Sequence, residues 1–182
     1  MNHETARTVG KSNFELAGGI GMAGYLLKAN YGVFEDFDIG IHYESLNIGV
    51  RAKYGWINSQ VEGWSLSTAI GAGRSSFSTH YYGDLMLGYL KKPWEPYGTL
   101  RIVRVKTDPV EFESESHDSN NYFAFNRVES FEFTYGQIIF GSRYWTQPKW
   151  FLSGEISTLL VFDSSVQVST GYILSGAMGH RF

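Results

Sequence analysis

The sequence predicts an all-β fold, an antiparallel up-and-down transmembrane β-barrel of eight strands, and three observations carry that prediction. From residue 14 onward, apolar residues keep returning at every second position. No window of comparable length follows the 3.6-residue period of a helix. All five tryptophans, Trp56, Trp64, Trp94, Trp145 and Trp150, lie within or beside three short breaks in the pattern, at 57–62, 91–95 and 145–149.

The clearest element is LNIGVRAKYGW at 46–56. Leu46, Ile48, Val50, Ala52, Tyr54 and Trp56 alternate with Asn47, Gly49, Arg51, Lys53 and Gly55. Such alternation gives a strand one apolar and one polar face. In a soluble barrel the apolar face fills the core. In a membrane barrel it meets lipid, and Arg51 and Lys53 face the lumen.

The other elements follow in chain order. The first 13 residues are polar and patternless, a flexible N-terminal tail ahead of a barrel at 14–182. Phe14, Leu16, Gly18, Ile20 and Met22 alternate with Glu15, Ala17, Gly19 and Gly21, and Phe37, Ile39, Ile41 and Tyr43 with Asp36, Asp38, Gly40 and His42. After 46–56 come Trp64 to Ala72, then Asp84 to Tyr89, each with period two. The 96–106 run is ambiguous, because Leu100 and Ile102 compete with Val103 and Val105. Trp150 to Leu160 and Val166 to Phe182 close the series.

The breaks set the strand count. Those at 57–62, 91–95 and 145–149 are short, and they interleave with 74–79, a long acidic 107–121 and 161–165. Segregation of tight turns to one end and longer loops to the other is what outer-membrane barrels show. An earlier turn lies either around 30–35, with 44–45 a bulge, or at 44–45, with 14–30 bending into 36–43. Either gives eight strands; ten would need another break in the Gly-rich 17–24 segment.

Composition narrows the classes. The formal net charge of −3 provides no basic field for nucleic acid. With no cysteine, disulfide scaffolds, thiolate metal sites and cysteine nucleophiles are excluded. The 21 glycines, 4 prolines and 16% aromatic content favour strands and tight packing. No apolar run approaches the roughly 18–20 residues of a membrane helix. No signal peptide is visible, so an exported protein would have this chain as its mature form.

An indole has an apolar body and one N–H donor, and it settles between hydrocarbon and headgroups. The five tryptophans are thus expected to form one interfacial girdle, joined by Tyr54, Tyr89, Tyr97 and Tyr144. Tyr81, Tyr82, Tyr122, Phe123, Phe125 and Phe162 make a candidate second belt.

The ending YILSGAMGHRF is an amphipathic strand that stops on an aromatic residue. It resembles the C-terminal strand of bacterial outer-membrane β-barrels, with Phe182 at the place of the terminal Phe that the barrel-assembly machinery reads. Leu174 and Met178 fill alternate apolar places; Gly176 and His180 depart from the pattern. KKPWEPYGTL is similar to a periplasmic turn of a small barrel. The resemblance implies a bacterial outer-membrane location, with the bilayer, lipopolysaccharide and the assembly machinery as partners, and Phe182 on the periplasmic side. Small barrels include structural proteins, adhesins, lipid A-modifying enzymes and narrow pores, so the fold leaves function open.

An eight-stranded barrel holds only its own side chains. Inward positions collect Glu15, Asp38, Arg51, Lys53, Asp84, Arg101, Arg143 and Glu155, with a set of serines and glutamines that includes Gln137, Ser157, Gln167 and Ser169. Charges shut away from water need partners, and a neutral network that occludes the lumen is expected. The first functional expectation is a structural or surface-interaction role. The alternatives are a lipid A-modifying barrel enzyme, a narrow, porin-like pore, and a soluble ligand-binding barrel.

For catalysis the candidates are His42 near Glu44 and Ser45, His80 near Ser78 and Thr79, and His117 beside Asp118, though no catalytic motif surrounds them. The acidic loop lacks the calcium-loop pattern, and neither metal nor cofactor is expected. Arg104 and Lys106 lie near the outer interface, placed to pair with lipopolysaccharide phosphates.

Overall fold

A computed structural model describes residues 3–111, 127–162 and 171–182. The strands are β1 (Phe14–Gly21), β2 (Gly24–Phe34), β3 (Phe37–Glu44), β4 (Asn47–Asn58), β5 (Gly63–Arg74), β6 (Ser78–Leu90), β7 (Trp94–Thr107), β8 (Val110–Glu111), β9 (Arg127–Val128), β10 (Glu132–Trp145), β11 (Trp150–Val161) and β12 (Tyr172–Arg181). Each long strand pairs antiparallel with its sequence neighbour, and β1 pairs with β12 to close the barrel. The short β8 and β9 pair with each other outside it.

The barrel has ten strands, two more than the eight expected. The miscount lies in the first 46 residues, where the two alternative positions for one outer turn each hold a turn, the first shifted to 35–36 and to the end of the barrel that carries Phe182, and a third turn exists. Gly21 pairs with Gly24 across a two-residue turn at Met22–Ala23. Phe34 pairs with Phe37 across Glu35–Asp36, and Glu44 with Asn47 across Ser45–Leu46. Ser45 and Leu46 both have positive φ, 43° and 73°, as a two-residue hairpin requires.

Even strand number puts both ends of the barrel wall together. At this near end lie Phe14, Phe182 and the turns at 35–36, 59–62, 91–93 and 146–149. The far end carries the turns at 22–23, 45–46 and 75–77, together with the connections that follow β7 and β11.

Polarity is inverted relative to a soluble protein. Ile20, Leu27, Ile41, Ile48, Val50, Ile70, Leu87, Ile102, Phe140 and Leu174 project outward and are exposed, Ile20 to 76%. Lys28, Asp38, Arg51, Lys53, Asp84, Arg143 and Glu155 project inward and are buried. A register shift between Gly55 and Ile57 turns Trp56 and Ile57 outward together.

Inward rings lie flat on the wall because glycines on the next strand receive them. A Cβ built on Gly71 would fall 2.3 Å from the Tyr82 ring, and one on Gly179 2.2 Å from Phe151 and 2.7 Å from the Leu16 carbonyl. G179V is therefore expected to block formation of the compact barrel, read as loss of the heat-modifiable band on a semi-native detergent gel. G154V, with nothing within 4 Å of its new Cβ, keeps that band.

Candidate functional site

Among the described residues charged chemistry concentrates in the lumen, which is filled by the chain's own N-terminal segment. Residues expected to form a flexible tail instead thread into the barrel from the near end. His3, Glu4, Thr5, Ala6, Arg7, Thr8 and Val9 are all buried, Ala6 completely. Gly10, at φ +82°, turns the chain out to an exposed 11–13 at the rim, and its carbonyl lies so close to Gly32 that no Cβ fits there. The segment has no alternating face because wall side chains surround it on every side, polar for the most part, with Ala6 set against Ala69 and Met86.

Glu4 and Arg7 each meet a wall partner. Glu4 takes Lys28 at 3.0 Å, Arg51 at 2.8 Å, Lys53 at 3.6 Å and a hydrogen bond from Asn30 Nδ2 at 2.9 Å. Lys53 also bridges Asp38 at 3.2 Å, whose other contact is the Val9 N–H. Arg7 binds Glu95 in bidentate fashion, Nε to Oε1 at 3.2 Å and Nη2 to Oε2 at 2.8 Å.

The segment's backbone is also satisfied by the wall. Lys28 and Arg143 donate to the His3 carbonyl, and Lys53 to those of Thr5 and Arg7. At the deepest described point His3 bonds Ser153 at 2.9 Å and Ser175 at 3.0 Å through its two ring nitrogens. The His3 backbone N–H donates to Glu155, which also accepts the Tyr97 hydroxyl at 2.9 Å. Nearer the rim, Thr8 N–H donates to Asn58 and Thr8 Oγ1 to the Glu35 carbonyl.

The wall has pairs of its own. Glu15 accepts Arg143 at 3.0 Å and Arg181 at 2.7 Å, and Asp84 accepts Arg101 at 2.7 and 2.8 Å while that guanidinium covers the Tyr82 ring. Gln137 donates to Ser157 at 3.0 Å. Gln167 and Ser169 lie outside the described residues.

Beyond Glu4 toward the far end opens a vestibule of about 420 Å³. Lys28, Asn30, Arg51, Arg101, His42, His80 and Tyr82 line it, with Glu4 at its floor and Ser45, Ser75 and Ser78 toward its rim. Toward the near end, Ala17, Leu90, Trp145 and Phe151 form an apolar cluster inside the barrel.

Trp145 corrects the expected girdle. It is 9% exposed, points inward and donates from Nε1 to Glu95 at 3.0 Å. It shares the parity of Arg143, so a lumenal Arg143 already required a lumenal Trp145. Tyr97 and Tyr82 likewise face inward and leave their expected belts. The other tryptophans are exposed outward beside an aromatic neighbour: Trp56 with Tyr54 at 4.9 Å, Trp64 with Tyr89 at 5.0 Å, Trp94 with Tyr144 at 4.8 Å and Trp150 with His180 at 4.6 Å. Tyr81 and Phe162 are exposed, while Tyr122, Phe123 and Phe125 lie outside the described residues.

Of the catalytic candidates, His42 and His80 face the vestibule. His80 bonds Asn47 at 3.0 Å and stacks on Tyr82, and His42 lies 6.1 Å from the same ring. His117 and Asp118 are outside the described residues, as are the carboxylates of Glu113 and Glu115. Among the described residues no group of three potential ligands has metal-binding geometry. Arg104 projects outward and pairs with Glu132 at 2.7 and 3.0 Å, and Lys106 is exposed on the same strand. Phe182 is exposed at the near end, its N–H donating to Phe14 at 2.7 Å.

No protein-family model matches the chain, and no curated protein matches it. Among solved structures it is similar to the N-terminal β-barrel domain of Pseudomonas aeruginosa OprF, at 12% identity over 95% of this chain and 99% of that one, with a TM-score of 0.43. The NanC porin is similar at 11% identity over 92% and 98%, TM-score 0.43. Neisserial surface protein A is similar at 12% identity over 93% and 92%, TM-score 0.34. Similarity this weak identifies neither family nor function.

Reasoning from parity alone missed Lys28, Glu95 and Arg181, though Glu95 stands in step with Arg101 along β7. His3, Glu4 and Arg7 carry no such signal.

Removing one partner of the buried Arg7–Glu95 pair strands the other. R7M is expected to destabilise the barrel by about 3–5 kcal/mol, and R7M/E95M to recover most of that loss, measured by chemical denaturation in detergent. A double variant no more stable than R7M would contradict the pairing.

Proposed function

We propose that this chain is an integral protein of a bacterial outer membrane with a structural or surface-interaction role, its lumen closed by its N-terminal segment on the periplasmic side and open as a vestibule on the outer side. The inverted polarity carries this reading. A continuous apolar exterior over a charged interior is unfavourable in water, where exposed apolar patches drive association. In hydrocarbon it is stable, because a closed barrel leaves no backbone group unpaired.

The remaining assignments follow from that placement. Trp56, Trp64, Trp94 and Trp150 sit at the inner interface with their tyrosine and histidine neighbours. Phe182 is the residue offered to the assembly machinery. Lys106, and Arg104 held by Glu132, face the outer-leaflet region where lipopolysaccharide phosphates lie. His42 and His80 turn toward the lumen rather than toward a lipid substrate, which favours this role over lipid A modification. The narrow-pore reading draws on one observation: the plug is a terminal segment, not part of the wall.

Flotation with lipid vesicles after carbonate extraction, together with heat-modifiable migration, tests the membrane placement. A chain that stays in solution without detergent would overturn it. In planar bilayers the intact protein is expected to carry no steady current, whereas a variant lacking residues 1–9 conducts. Steady conductance by the intact chain would contradict the closed lumen.

A further inference from the structure

Four donors converge on a single carboxylate inside the barrel. Lys28, Arg51 and Lys53 lie 3.0, 2.8 and 3.6 Å from the Glu4 oxygens, and Asn30 donates to Oε1 at 2.9 Å. A carboxylate offers about four lone-pair sites, so its acceptor capacity is nearly filled. The division between the two sides matters more than the number. Every donor stands on β2 or β4, fixed in the wall, and the acceptor arrives on a segment that belongs to no strand.

Without Glu4, the wall has three cations here, of which Lys53 alone is bridged to Asp38. Confined excess positive charge with a neutral amide donor beside it is what an anion-binding site consists of. The site is also reachable. Lys28, Asn30 and Arg51 line the vestibule, so the donors open toward the far end as well as toward the plug. His42, His80 and Tyr82 lie over Gly49, Gly73 and Gly71, positions where a Cβ would collide with each ring, and this keeps them flat against the wall.

We propose that Lys28, Asn30, Arg51 and Lys53 form a binding site for a small carboxylate solute, and that Glu4 is its intramolecular occupant. The ligand class is set by the group in place, two oxygens spread among separate donors. The site rests on lumen geometry and is independent of the membrane assignment.

E4A removes the carboxylate and leaves the rest of the segment. Thermal unfolding of the purified, detergent-solubilised variant is compared in acetate and in chloride at equal ionic strength. Acetate is expected to raise the midpoint of E4A by about 3–6 °C, the shift that a roughly tenfold gain from preferential binding to the folded state would give a chain of this size. The unsubstituted protein should show no difference, and E4A/K28M should lose the response. Equal midpoints of E4A in the two salts would overturn the proposal. An equal response to phosphate would overturn the carboxylate assignment. Should E4A fold poorly, the yield of heat-modifiable barrel in acetate against chloride is the reading: a higher yield supports the site and an equal yield overturns it.

Discussion

Glu4 and Arg7 enter a lumen whose wall charges are unevenly spread, and the rest of the structure depends on what they meet there. Lys28, Arg51 and Lys53 crowd one side, while Glu95 stands elsewhere with Arg7 as its ion-pair partner. A charge held away from bulk water costs several kcal/mol unless it is paired. The segment brings an acid to the crowded cations and a base to the acid. Its backbone N–H and C=O groups are in turn met by Asp38, Lys28 and Lys53, so the segment's own polar groups find partners as well.

That exchange explains the shape of the interior. A ten-stranded barrel is wider than one of eight, and the diameter grows with strand number. The extra width admits one extended chain, which is what residues 3–9 supply. Flat rings over glycines give the remaining space its form. At the near end Arg7 of the plug lies over Trp145, which packs on Phe151, and at the far end the vestibule stays clear.

Much of this was legible in the residues. Period-two alternation located β1, β3 to β6, β11 and β12, while β7 stayed ambiguous and β10 was implied only by the breaks on either side of it. The parity of Arg51 and Lys53 against Val50 and Ala52 named which side chains face the lumen. Two things were not. The Met22–Ala23 turn lacks the Asn-Gly or Asp-Gly chemistry that marks tight hairpins, so β1 and β2 read as one Gly-rich run. HETARTV has no periodicity because a plug inside a closed tube has no solvent face to distinguish from a buried one. A polar, patternless stretch is written the same way whether it ends in water or in a charged lumen. Trp145 is a different case: its parity with Arg143 was available, and the expectation of a girdle overrode it.

These 182 residues include no cysteine, so a single introduced thiol reports the position of the N-terminal segment without interference. The direct measurement is the rate at which a maleimide modifies A6C and K11C in the folded, detergent-solubilised barrel. Ala6 is fully buried in the lumen and Lys11 is exposed at the rim. The account predicts rapid modification of K11C and protection of A6C until the barrel is heat-unfolded. Equal, rapid modification of both thiols in the folded protein would show that the segment does not occupy the lumen.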